Sequence, residues 1–182
     1  MASIYDTVPT WSAATTYNKY SIVQGSDNRY YYSIIDNNVG AGNNPVTSSN
    51  LGVDWDGYIL LNGSLVPNFW WRPSYDANIR NTPKIIINQF GNGYEQRIND
   101  GINNNLINFI LRFDNRNEQE TVSILHFLGQ RNGKESFVYN LPTIYAKDPL
   151  NLKTRFTCMN WESIYASYNN YQISCEFREV AA

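Results

Sequence analysis

His126 is the only histidine in this 182-residue chain. It stands between Leu125 and Phe127, where a lone imidazole reads as a structural residue and not as a general base or a ligand. Cys158 and Cys175 are the only cysteines. They form no CxxC pair, and each falls on the apolar side of an alternating pattern, beside Phe156 in one case and between Ile173 and Phe177 in the other. That pattern predicts two buried free thiols in a reducing compartment; a disulfide between neighbouring strands is not indicated. With one histidine and no CxxC, a transition metal lacks a ligand set, so no metal and no cofactor is expected. Asp54 and Asp56 flank Trp55, with Asp6, Asp27 and Asp36 in the same part of the chain. Paired carboxylates are glycosidase chemistry, but aspartates scattered through loops are ordinary turn residues. There is no GxSxG elbow, no GxxxxGK[ST] loop and no HExxH. Gly91-Asn92-Gly93 begins like a dinucleotide fingerprint, yet the third glycine is missing at its place and no βαβ unit follows. The chain is expected not to be an enzyme, a small glycoside hydrolase being the residual alternative.

The stretch from Phe90 to Asn103 is of another kind. It holds Gly91, Gly93 and Gly101 with Tyr94, Gln96 and Arg97 in a run with no helical or strand period. Glycines at this density supply backbone angles that other residues resist. An irregular segment between two strand-like runs is better suited to contact or assembly than to filling a core. Tyr94, Gln96 and Arg97 offer an aromatic anchor and directional donors for an interface. The alternative is that the glycines only permit turns and that Tyr94 packs within its own chain.

The elements around this run are legible. Thr82 to Phe90 reads as a strand, and Ile85-Ile86-Ile87 implies burial on both faces or a tight interface. Leu106 to Phe113 alternates, with Ile107, Phe109, Leu111 and Phe113 facing one way and Ile110 the one apolar residue on the other side. Asn117 to Gln130 reads as a helix capped by Asn117, with Glu120 as capping-box partner and Gly133 as the stop. Ser136 to Tyr139, Lys153 to Met159 and Tyr171 to Glu179 read as further strands. The expectation is an α+β, mostly β fold, with a mostly antiparallel sheet and one packing helix. The chain divides near residue 64, with Asn62-Gly63-Ser64 as a turn or short linker; 1–64 is expected to be a small all-β module and 65–182 a second unit. Aromatics make up 15% and charged residues 16%, with a formal net charge of −2. No basic surplus exists to neutralise phosphates, so nucleic acid is not an expected partner. No apolar run is long enough for a membrane span, and the start of the chain lacks the pattern of a secretory signal.

Several of these segments together resemble the lambda-like phage minor tail protein M family. They are Phe69-Trp70-Trp71-Arg72-Pro73, Gln89-Phe90-Gly91-Asn92-Gly93-Tyr94-Glu95-Gln96-Arg97, Asp100-Gly101-Ile102-Asn103, Phe127-Leu128 with Gly133, Phe137 with Pro142, and Trp161 before a final strand. The likeness covers about residues 69 to 180, with Asn92 where the family often has Asp. It implies a tail-tube-like sheet or barrel and a structural virion protein of the tail tip or baseplate. It also implies a ring, commonly a hexamer of the chain itself, seated between the tail tube and the baseplate hub proteins. The implied location is the virion tail, assembled in the host cytoplasm. The residues that carry the assembly signature are Phe90, Gly91, Gly93, Tyr94, Gln96, Arg97, Gly101 and Asn103.

The N-terminal part resembles something else. Trp11, Tyr17, the strand ending at Val23, Tyr31-Tyr32-Ser33, Asn44-Pro45 and Trp55 are similar to the small carbohydrate-binding modules of chitinases and cellulases. Tyr20 stands where that pattern has glycine, and Ser33 where it has alanine. The resemblance implies sugar rings stacked on exposed aromatics. If Tyr31 is core, Tyr30 and Tyr32 share the other face and are stacking candidates with Trp11 and Trp55. The alternative function is then a glycan-binding decoration on the tail, with a host-surface glycan as a further partner. The competing reading is that these aromatics are the core of a module with little else to bury.

Overall fold

A computed structural model describes residues 7–74, 77–140 and 153–180. Asp6 and Pro142, and the start of the chain, lie outside the described residues. Twelve strands and one α-helix are present among them. In chain order these are β1 (Ile22–Gln24), β2 (Tyr30–Ser33), β3 (Trp55–Asp56), β4 (Tyr58–Leu61), β5 (Ser64–Phe69), β6 (Asn78–Asn81), β7 (Ile85–Gln89), β8 (Glu95–Asn99) and β9 (Ile107–Arg116). Helix α1 (Glu118–Arg131), β10 (Phe137–Asn140), β11 (Lys153–Ser167) and β12 (Asn170–Glu179) complete the chain.

Seven strands form the main sheet in the order β4-β5-β10-β11-β12-β9-β6, a second sheet runs β1-β2-β3, and β7-β8 make a ribbon of their own. All pairings are antiparallel except β5 with β10. The fold is therefore α+β and mostly β; among the described residues none of the sheets closes into a barrel. The alternation read from β9 holds: Ile107, Phe109, Leu111 and Phe113 are buried and Ile110 lies on the opposite face. They meet Ile173, Cys175 and Phe177 of β12 and Phe127, Ile124 and Leu128 of α1 in one aromatic-rich core. Both cysteines are buried and free.

Helix α1 begins where Asn117 Oδ1 accepts the Glu120 amide at 2.8 Å. A second asparagine, Asn169 in the β11–β12 turn, accepts the Glu118 amide at 2.9 Å. Two of the amides left without partners at a helix start are thus satisfied. Glu120 does not return the capping-box bond expected of it; its carboxylate takes Arg116 Nη1 at 2.8 Å instead. The helix ends on Asn132 in the left-handed conformation, one residue before the expected Gly133 stop.

Asn62-Gly63 joins β4 to β5 as a hairpin turn, both residues having positive φ, the signature of a type I′ turn. The division drawn near residue 64 therefore falls inside one hairpin, and β4 sits at the margin of the main sheet.

Candidate assembly site

The run from Phe90 to Asn103 leaves the body of the molecule on the ribbon β7–β8. Its base is tied by Lys84 N donating to Asn104 O at 2.7 Å and Asp100 N donating to Lys84 O at 3.0 Å. Its tip is a single turn, Gly91–Gly93, closed by Phe90 N donating to Tyr94 O at 2.7 Å. Asn92 and Gly93 both have positive φ there. A Cβ on Gly93 would meet open space, so the glycine is required by the backbone angle alone. Asn92 tolerates the same region.

Every residue of β7 and β8 is exposed. The register pairs Ile86 with Ile98 and Asn88 with Gln96 on one face, and Ile85 with Asn99 and Ile87 with Arg97 on the other. Directly opposed residues share a face. Apolar side chains therefore stand on both sides of the ribbon, and among the described residues no layer lies against either. The burial expected of Ile85-Ile86-Ile87 is not found: all three are exposed. Tyr94 is 78% and Ile102 99% exposed, so Tyr94 does not pack on its own chain. Arg97 pairs with Glu95 two residues away. All eight signature residues, Phe90, Gly91, Gly93, Tyr94, Gln96, Arg97, Gly101 and Asn103, are exposed on this arm and its base.

The aromatic candidates of the N-terminal part behave in the opposite way. Tyr32 and Trp55 are both 0% exposed, and Trp11 and Tyr30 are half-buried. Trp55 lies in a small cluster with Tyr17, Val23, Tyr31 and Tyr58, and its indole N–H donates to Asn43 O at 2.7 Å. Tyr32 points the other way, into the core of the main sheet. Its hydroxyl and His126 Nδ1 share a hydrogen bond at 3.0 Å, and the Tyr30 ring stands edge-on to the imidazole at 4.9 Å. The four-residue stacking platform is therefore not formed: β2 has α1 against one face and the module core against the other, so Tyr32 has no solvent side. His126 is the structural residue expected of it, and burial with the nearby Arg131 cation pushes its pKa down to about 4.

Three further contacts fasten the module. Gln119 Nε2 donates to Ser21 Oγ at 3.1 Å. Tyr20 stacks on Trp70 at 5.7 Å, and Trp70 stacks in turn on Trp71. Tyr20 has φ of 70°, a conformation that is strained for an aromatic residue. It occupies the position where the resembled pattern has glycine, and its ring gains the Trp70 contact there. Of Asp27, Asp36, Asp54 and Asp56, only Asp56 is buried. It accepts from Gly57 N at 2.6 Å and Asn68 Nδ2 at 2.8 Å, and burial raises its pKa to about 6. Its nearest partners are this amide and this side-chain amide, which makes it a hairpin brace.

Sequence reasoning missed a second exposed surface. Met159, Ile164, Tyr165 and Tyr168 all face solvent on the β11–β12 hairpin. The strand β11 runs on to Ser167 instead of ending at Met159, because a bulge between Cys158 and Asn160 resets the alternation. Among the described residues no three His, Cys, Asp or Glu side chains gather as a metal site, and no helix is long and apolar enough to cross a membrane.

A mostly β subunit with an uncovered apolar ribbon has the character of an assembly component, and comparison with known proteins defines the class: the chain belongs to the phage minor tail protein family, whose profile matches residues 67–181. It is a structural protein of the virion tail. In particular, it is similar to tail tip protein M of Escherichia phage lambda, 28% identical over 112 residues that cover 62% of this chain and 95% of that relative. The matched region begins inside β5, so the docked aromatic module precedes it.

Proposed function

We propose that this chain is a ring-forming subunit of the tail tip, a homo-hexamer seated between the tail tube and the baseplate hub, assembled in the host cytoplasm. The observation that carries the reading is the β7–β8 arm, apolar on both faces and exposed throughout. A lone two-stranded ribbon is marginal in water, and uncovered apolar patches mark interaction sites. Similarity to the tail tip protein M of phage lambda supports the tail tip as the location. The N-terminal module, held on α1 by Tyr32 and Ser21 and on Trp70 by Tyr20, adds bulk to the helix side of the sheet. The module ahead of β4 thus acts as decoration, and the part from β4 onward as ring builder.

Native mass spectrometry and negative-stain imaging of the purified chain, alone and with tail tube protein, test this. Rings of six copies, or tubes capped by them, are expected. A chain that stays monomeric and never associates with tube protein contradicts the reading.

A further inference from the structure

We propose that strand β7 of one copy adds to the free edge of β11 in the next copy, head to tail around the ring. This rests on the ring reading above and names the contact that builds it.

The acceptor is an edge that no strand covers among the described residues, regular from Asn160 to Tyr165 between two register shifts. β10 pairs with β11 over Phe156 back to Lys153. From Thr157 to Ser167 the side of β11 turned away from β12 has no strand against it among the described residues. An unpaired edge is a template for another strand, and native proteins blunt such edges with lysine or proline. Thr157 to Ser167 contains neither, and Glu162 is its only charged residue. Met159, Ile164 and Tyr165 are exposed along it.

The donor matches. β7 reads Ile-Ile-Ile-Asn-Gln, five uncharged residues led by three β-branched ones, the type that favours strands. Its outer edge is unpaired among the described residues.

Topology fixes the sense. The arm leaves the sheet between β6 and β9, at one margin, whereas the free side of β11 is turned away from β12 and β9 toward the other. Donor and acceptor therefore face opposite ways. Each pairing leaves a free arm at one end and a free edge at the other, the heterologous arrangement that forms a ring when the rotation between copies closes.

The test uses two full-length variants, both altered at exposed positions. Ile87→Asp spoils the donor; Ile164→Lys with Tyr165→Lys spoils the acceptor. Circular dichroism confirms that each is folded. By native mass spectrometry, with tube protein present wherever the wild type needs it, each variant alone is expected to be monomeric. Their equimolar mixture is expected to give two-copy species and nothing larger, since one intact donor meets one intact acceptor. An acceptor variant that still forms wild-type rings overturns the proposal and leaves the ring reading standing. Loss of rings in the donor variant alone points to arm–arm contact and also overturns it. A wild-type chain that never oligomerises removes the ring reading itself.

Discussion

The N-terminal module and the β7–β8 arm both carry large apolar side chains, and their fates are opposite. In the module the rings are consumed inside: Tyr31 and Trp55 make its own small core and Tyr32 enters the core of the main sheet. In the arm Phe90, Tyr94, Ile86 and Ile98 stand in water. A module of this size is marginal by itself, and α1 covers the face that Tyr32 presents. The arm has no such cover among the described residues. Apolar side chains of similar kind are thus covered or left exposed according to where the topology places their strand.

Removing the module's anchor gives the largest expected effect. Tyr32→Ala empties a fully buried aromatic site and should destabilise the whole chain by about 3–5 kcal/mol, seen as one cooperative loss in urea unfolding. A free module that unfolds separately while the rest stays put would break the comparison. The same measurement separates folding from sugar binding. Polysaccharide pull-down by the wild type is expected to show no retention, because Tyr32 and Trp55 are enclosed.

Two buried titrating groups sharpen the account of the module, with opposite signs. Asp56 has a folded pKa raised to about 6; its contribution is present below the ordinary carboxylate value and lost as pH rises through 6, so at neutral pH its charge opposes folding. Asp56→Asn keeps an acceptor for Gly57 N–H and should stabilise by up to about 3 kcal/mol at pH 8, with little gain at pH 4. His126 has a folded pKa lowered to about 4; its contribution is complete above pH 6.5 and lost as pH falls through 4. His126→Gln should flatten the acid limb of the urea-midpoint profile between pH 6.5 and 4. An unchanged limb would mean that the imidazole is not sealed by Tyr32.

Tyr20 gives a smaller effect with an ordered outcome. Tyr20→Gly relieves a backbone strain of about 1–2 kcal/mol and loses the Trp70 stack, so the two nearly cancel. Tyr20→Ala loses the stack and keeps the strain, and should be the less stable of the pair. The reverse order would remove the docking role of the ring. The arm comes last: Ile86→Asp should change monomer stability by less than about 0.5 kcal/mol, as exposed positions do.

Much of this was legible in the residues. The alternation of β9 and the Asn117 cap placed one strand and the helix, because both are local patterns, though β9 runs on past Phe113 to Arg116. Gly91, Gly93 and Gly101 marked the arm through the backbone angles a turn demands. The placement of Tyr32 was not legible: alternation assigns Tyr31 and Tyr32 to opposite faces but cannot tell that α1 covers the second face. β11 was read short because a bulge interrupts its period, hiding Ile164 and Tyr165. The parallel pairing of β5 with β10 joins segments about seventy residues apart, and no local signal announces it. Asn62-Gly63 was a turn in the sequence, but only the paired strands show that it binds the two parts into one hairpin.

The central claim is that the arm is completed by a partner while the module is already complete. Hydrogen exchange with mass spectrometry on the free chain and on assembled tail tips tests it most directly. The account predicts rapid exchange over β7 and β8 in the free chain and strong protection after assembly, with β2 protected in both. Arm amides already protected in the free chain, or still unprotected in the assembled tip, would contradict it.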